Sequence, residues 1–177
     1  LSNTFTSSIS LSKRWIGTPF NLTTNLNHSQ NTRNKIVNLT IPNINFNMNR
    51  IFPFKEIGKN PKSTWYKRIG ITYTMNAKND ITVADSLLFS NTVFDQFRHG
   101  IKHNIPISSS IKILQHFNLT QNFNITERWY LSKINKIWDQ NNGTIDTDTI
   151  NQFTRAHNYS LSTGLNTKIY GIFKLKK

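Results

Sequence analysis

The sequence has no cysteine, which removes disulfide frameworks and thiolate metal sites. Nor does it have an uninterrupted apolar run near the roughly 18–20 residues of a spanning helix, which excludes a helical membrane protein only. Barrel strands leave a far weaker hydropathy trace and pass such a scan unseen. The chain opens with Leu1 and is read as a piece of something longer or as one whose start has been removed, so the lack of a basic, apolar and small-residue signal there says little. Acids are scarce, 8 against 22 Lys and Arg, for a net charge of +14. That balance invites polyanions: nucleic acid, an acidic membrane surface or a phosphorylated glycolipid. Asn, Ile and Lys also have AT-rich codons, so the charge alone decides little.

Signatures of catalysis are missing too. There is no Gly-rich phosphate loop, G-x-S-x-G elbow or H-E-x-x-H. His28, His99, His103, His116 and His157 stand apart from one another and from any acid at ligand spacing. Glu127, Asp146 and Asp148 follow no positional logic for paired-carboxylate chemistry. The expectation is therefore no enzyme, no metal and no cofactor.

What is present is alternation. Over residues 117–131, Phe117, Leu119, Phe123, Ile125, Trp129 and Leu131 share one parity, and Asn118, Thr120, Asn122, Asn124 and Thr126 share the other. A period of two is a strand with one apolar and one polar face. The polar face is uncharged, all amide and hydroxyl. A soluble sheet usually turns charges to water, whereas a membrane barrel alternates lipid-facing apolar residues with polar residues facing its own interior. Gln121 and Glu127 break the pattern on the apolar parity; Glu127 lies near the strand's end and Gln121 is central.

The rest of the chain repeats the theme. Residues 1–12, 15–32, 36–49, 69–77, 113–126 and 156–167 contain no Asp, Glu, Lys or Arg, and clusters of Lys and Arg sit between them. Most of these windows hold a crossing strand of about 9–11 residues. A charge at the middle of a lipid face costs about 2–4 kcal/mol and much less near the interfaces, so charge is expected at strand ends. Strands are predicted around Phe5–Leu11, Phe20–Leu26, Val37–Met48, Ile69–Met75, Ile101–Ile113, Phe117–Leu131 and Tyr159–Ile169. After a turn at Gly171 another begins at Phe173 and Leu175. At Pro42 and Asn43 the parity slips, read as one long strand kinked by a bulge, with two strands and a tight turn as the alternative. Residues 50–68 and 133–152 read as long connections, 87–97 as a short strand or helix, and Gln115–His116 as a tight turn. From Ile69 onward connections run long, short, long, short, as in an outer-membrane barrel; the 50–68 loop falls on the short side. Trp15, Phe52, Phe54, Trp65, Tyr66, Trp129, Tyr130 and Tyr170 cluster near strand ends like interfacial girdles.

The expected fold is all-β: an antiparallel up-and-down meander of about seven to eight strands, a single segment over residues 1–177 of a larger transmembrane outer-membrane barrel. Lys102, Lys112, Arg128 and Lys168 lie on the polar parity and are the candidate interior contacts to anionic groups.

Several stretches resemble the β-barrel part of LptD (OstA, Imp), the lipopolysaccharide-assembly outer-membrane family. They are residues 37–55 (V-N-L-T-I-P-N-I-N-F-N-M-N-R-I-F-P-F-K), 65–88, 99–107 (H-G-I-K-H-N-I-P-I), 117–131 and 161–170 (L-S-T-G-L-N-T-K-I-Y). The resemblance is one of strand and turn wording. It implies a bacterial outer-membrane protein that receives lipopolysaccharide from a periplasmic bridge and places it in the outer leaflet. It also implies outer-membrane lipids and an LptE-like lipoprotein plug as partners. With no jellyroll and few strands, the chain would be a central portion of such a barrel or a reduced relative. Two alternatives carry different expectations: another outer-membrane porin or receptor, or a soluble basic β-protein that binds nucleic acid through surface aromatics. Cations gathered along one sheet face would favour the latter.

Overall fold

A computed structural model describes residues 3–55, 65–114, 116–140 and 143–168. Nine strands follow in chain order: β1 (Thr4–Arg14), β2 (Phe20–Asn31), β3 (Ile36–Ile51), β4 (Gly70–Ala84), β5 (Arg98–Ile113), β6 (Phe117–Tyr130), β7 (Lys133–Asp139), β8 (Thr144–Ile150) and β9 (Thr154–Thr167). Seven of them form one antiparallel sheet in the order β1-β2-β3-β4-β5-β6-β9, and β7 and β8 form a separate hairpin. The chain is thus all-β and the sheet an up-and-down meander, open along the outer edges of β1 and β9 among the described residues. The segments predicted around Gly171, Phe173 and Leu175 lie outside the described residues.

Opposed residues in an antiparallel pair point to the same side, so the registers sort every strand into two faces. Along β5, β6 and β9 one face carries Ile105, Ile125 and Tyr159 in one row and Ile107, Phe123 and Leu161 in another. Through β4, β3 and β2 it continues as Met75, Phe46 and Leu22. On β1 it holds Phe5, Ile9 and Leu11. The other face carries Ser8, Asn27, Asn45, Asn76, Asn104, Thr126 and Asn158. We call these the apolar and amide faces.

The parity slip is a bulge within one strand. Between Thr40 and Asn43, β3 carries one residue more than β2 on one side and β4 on the other. The extra residue brings Ile44, Phe46 and Met48 back to the side of Val37 and Leu39. A second irregularity between Met48 and Ile51 does the same beside Arg50.

Connections divide between the two ends of the sheet. The connections between β1 and β2, β3 and β4, and β5 and β6 join strand ends at one end, here the turn end; those between β2 and β3, β4 and β5, and β6 and β9 join them at the other, the loop end. Long and short connections alternate from β4 onward, and the 52–69 connection is the long member on the turn end. Residues 87–97, read as a short strand or helix, hold a short 3₁₀ helix at Asn91–Gln96, preceded by another at Asp85–Leu87. One expectation changes. Residues 133–152, read as a plain connection, contain the β7–β8 hairpin.

Away from the loop end, the described residues leave the apolar face uncovered on the edge strands: Ile9, Leu11 and Leu161 keep 68%, 72% and 71% of their surface open. The buried core is small and sits at the loop end, where Ile81, Val83 and Val93 pack with Leu39, Leu88 and Phe97. β4 runs on past Lys78 and Asp80 to reach it.

Candidate functional site

The amide face is a hydrogen-bonded surface in its own right. Asn76 Nδ2 donates to Asn43 Oδ1 at 2.8 Å and Asn45 Oδ1 at 2.7 Å. Asn47 Nδ2 donates to Asn21 Oδ1 at 3.1 Å, and the Thr82 hydroxyl to Asn38 Oδ1 at 2.7 Å. On the other half, Ser110 donates to Asn118 at 3.0 Å and Thr126 to Asn104 at 2.9 Å. Each bond crosses a strand boundary, so the side chains repeat the ladder beneath them. A surface of amides and hydroxyls offers donors and acceptors to sugar hydroxyls without a fixed charge that would trap a phosphate.

Fixed charge collects at the ends. At the loop end a cavity of about 640 Å³ opens on this face, lined by Lys78, Asp80, Arg98, Lys102, Arg128 and Tyr130 among others. Lys102 and Arg128 are register partners, and Arg98 opposes Asp80. Like charges placed directly opposite destabilise a strand pair, so the Lys102–Arg128 arrangement is costly until an anion lies over it. Arg128 Nη1 is steadied by Asn158 Oδ1 at 3.0 Å, and Lys78 Nζ lies 3.5 Å from Asp80 Oδ1. Four cations therefore face one carboxylate. The β7–β8 hairpin reaches the cavity through Ile134 and Thr149, themselves register partners. Asp146 and Asp148 belong to the opposite face of that hairpin, so its acids turn away from the cations.

A second cationic group stands at the turn end. β5 extends past the start of β4, leaving carbonyls without strand partners on that side. Arg50 Nη2 reaches the Ser108 carbonyl at 3.4 Å and Arg68 Nη1 the Ser110 carbonyl at 3.5 Å. Arg50 passes directly over Gly70, where a Cβ would lie 2.0 Å from its Nε. The guanidinium also lies 4.9 Å from the Phe52 ring centre, a cation–π distance.

Of the four sequence candidates, Lys102 and Arg128 are brought together. Lys112 is ten positions further along β5, about 33 Å away. It is exposed and opposes Asn118 at the turn end, and Lys168 follows the last residue of β9 at that same end. Lys78, Arg98, Arg50 and Arg68 were not among the candidates. Lys78 and Arg98 lie just outside the strands read at Ile69–Met75 and Ile101–Ile113, and the longer β4 and β5 bring them onto this face. Cations thus lie at the two ends of the amide face and not along it.

The apolar face has its own exceptions, and two groups of them come in rows. Glu127 is flanked in register by His103 and His157. Its carboxylate accepts from Trp129 Nε1 and pairs with Arg155. The His103 ring lies 4.3 Å from that of Trp129, and Tyr73 Oη, from the next row toward mid-sheet, is 2.8 Å from His103 Nδ1. This is an aromatic cluster on the loop-end half of the face with its polar tips tied together. Gln121, the central exception, opposes Ser109 on β5 and Thr163 on β9, so one polar stripe crosses three strands.

A model of the family described as LptD protein matches residues 1–177, the whole chain. No curated protein and no solved structure matches it.

Proposed function

The chain belongs to the LptD family and is related to lipopolysaccharide transport, and from that premise we propose that its sheet is part of an outer-membrane wall along which lipopolysaccharide passes to the outer leaflet. The observation that carries this reading is the pair of faces: uncovered Ile, Leu and Phe on one, a cross-linked amide and hydroxyl surface on the other. The apolar face meets lipid. The amide face meets the saccharide, exchanging one neutral hydrogen bond for another as it moves. The cationic cavity at Lys78, Arg98, Lys102 and Arg128 and the cations Lys112 and Lys168 at the other end receive its anionic groups. On this reading the chain is not an enzyme, and its partners are lipopolysaccharide, outer-membrane lipids, an LptE-like lipoprotein and the periplasmic bridge. Nucleic acid is not among them, because the cations sit at the rims.

Joint reversal of Lys102, Lys112, Arg128 and Lys168 to Glu tests the interior assignment. Surface lipopolysaccharide should fall several-fold while the protein still fractionates with the outer membrane. Unchanged surface lipopolysaccharide would sink it.

A further inference from the structure

The connection between β4 and β5, residues 85–97, divides its apolar side chains into two sets. Leu88, Val93 and Phe97 pack on Leu39, Ile81 and Val83, and Val93 is only 6% exposed. Those strand residues belong to the apolar face by register, so the connection lies against the outer wall of the sheet. The second set, Leu87, Phe89 and Phe94, points away from the protein; Phe89 is 94% and Phe94 74% exposed. A connection that only had to cover Ile81 and Val83 could carry polar residues on its outer side.

Its place in the fold says what meets those rings. Just below it on the same face run the Asn79–His99 pair and then the packed rings of His103 and Trp129, to which the Tyr73 hydroxyl reaches from the next row toward mid-sheet. Trp and Tyr with their polar tips gathered in this way mark the headgroup level of a membrane strand. Phe89 and Phe94 are therefore held beside the lipid band and not over the opening of the sheet. Residues 85–97 contain no Lys or Arg, so attraction to anionic headgroups is not what holds them. We propose that this connection is an interfacial anchor, with Leu87, Phe89 and Phe94 inserted at the boundary between headgroups and acyl chains and setting the depth of the loop end. The proposal rests on the membrane reading above, since it takes the apolar face as the lipid-facing one.

The absence of cysteine makes the test direct. Single variants Phe89→Cys and Phe94→Cys, with Phe123→Cys in mid-strand on the apolar face and Thr147→Cys in the hairpin as references, carry an environment-sensitive fluorophore. The full chain is reconstituted in phosphatidylcholine–phosphatidylglycerol vesicles with nitroxides placed either high or low on the acyl chains. The labels at 89 and 94 should be quenched about twofold more by the high nitroxide than by the low one, as insertion of roughly 5–10 Å requires. The label at 123 should respond most to the low nitroxide, and that at 147 to aqueous iodide. If 89 and 94 follow iodide like 147 while 123 stays lipid-quenched, the anchor is wrong and the membrane reading stands. If 123 is not lipid-quenched either, both fall.

Discussion

On the amide face, Asn76 bonds to Asn43 and Asn45 across β3–β4, and Thr126 bonds to Asn104 across β5–β6. On the apolar face of the same strands, Met75 opposes Phe46 and Ile125 opposes Ile105, with no polar group to satisfy. The first surface is held together by its own hydrogen bonds and needs only water or saccharide above it. The second needs a solvent that asks for no hydrogen bonds. Polar residues on the apolar face are of two kinds: Glu127 has His103 and His157 beside it and Gln121 has Ser109 and Thr163, whereas Gln30 lies between Phe5 and Val37 and Thr24 between Leu11 and Ile44.

Neighbouring positions on β6 offer the strongest way to break this comparison. Phe123 faces the apolar side, stacked 6.3 Å from Tyr159, and Asn122 faces the amide side opposite Ser108. Phe123→Lys should destabilise the chain in a bilayer by about 2–4 kcal/mol. Asn122→Lys should cost less than about 1 kcal/mol, because an ammonium on a wet polar surface stays solvated. Reversible denaturant unfolding in vesicles measures both. Equal costs would mean that the two faces meet the same solvent.

Much of this was legible before any coordinates. Alternation over residues 117–131 defined both faces, and of the two readings of the slip at Pro42, a bulge or a tight turn between two strands, pairing with β2 and β4 shows the bulge. Contacts that depend on register were harder to see: a turn at Gln115–His116 leaves the pairing uncertain by one residue, and it is the observed register that sets Lys102 opposite Arg128. What could not be read was the cavity's other half. The charge-free run of β4 stops at Ala77 and Asn79 breaks its apolar parity, so the strand seemed to end before Lys78 and Asp80, yet pairing with β3 carries it on to Ala84. The β7–β8 hairpin was hidden because Ile134 and Ile137 fall on opposite parities, leaving no single apolar face.

A smaller effect tests how the amide face handles its cations. Gly70 lies under Arg50, and an added Cβ would be 2.0 Å from Arg50 Nε. Gly70→Ala should displace that side chain and release the Ser108 carbonyl, costing about 1–2 kcal/mol. In the Arg50→Ala background the clash is gone, so the second substitution should add almost nothing. Additive costs in that double-mutant cycle would show that Gly70 serves the backbone and not Arg50.

The smallest effect comes from the apolar face's central exception. Gln121 stands between Ser109, which is 9% exposed with a buried hydroxyl lacking a partner among the described residues, and Thr163 on the edge strand. Facing lipid, the amide has only those two hydroxyls as cross-strand neighbours, and bonds of that kind within a membrane average about 0.6 kcal/mol. Replacing it with Leu gives up no more than that and removes an amide from hydrocarbon. Gln121→Leu should therefore shift stability in vesicles by less than about 1 kcal/mol, toward the more stable side. A loss above about 1 kcal/mol would mean that the amide meets a polar partner, since only a bonded partner left behind can make losing it so costly. In that case the stripe from Ser109 to Thr163 is a contact surface within the lipid-facing wall, and the apolar face is not uniform.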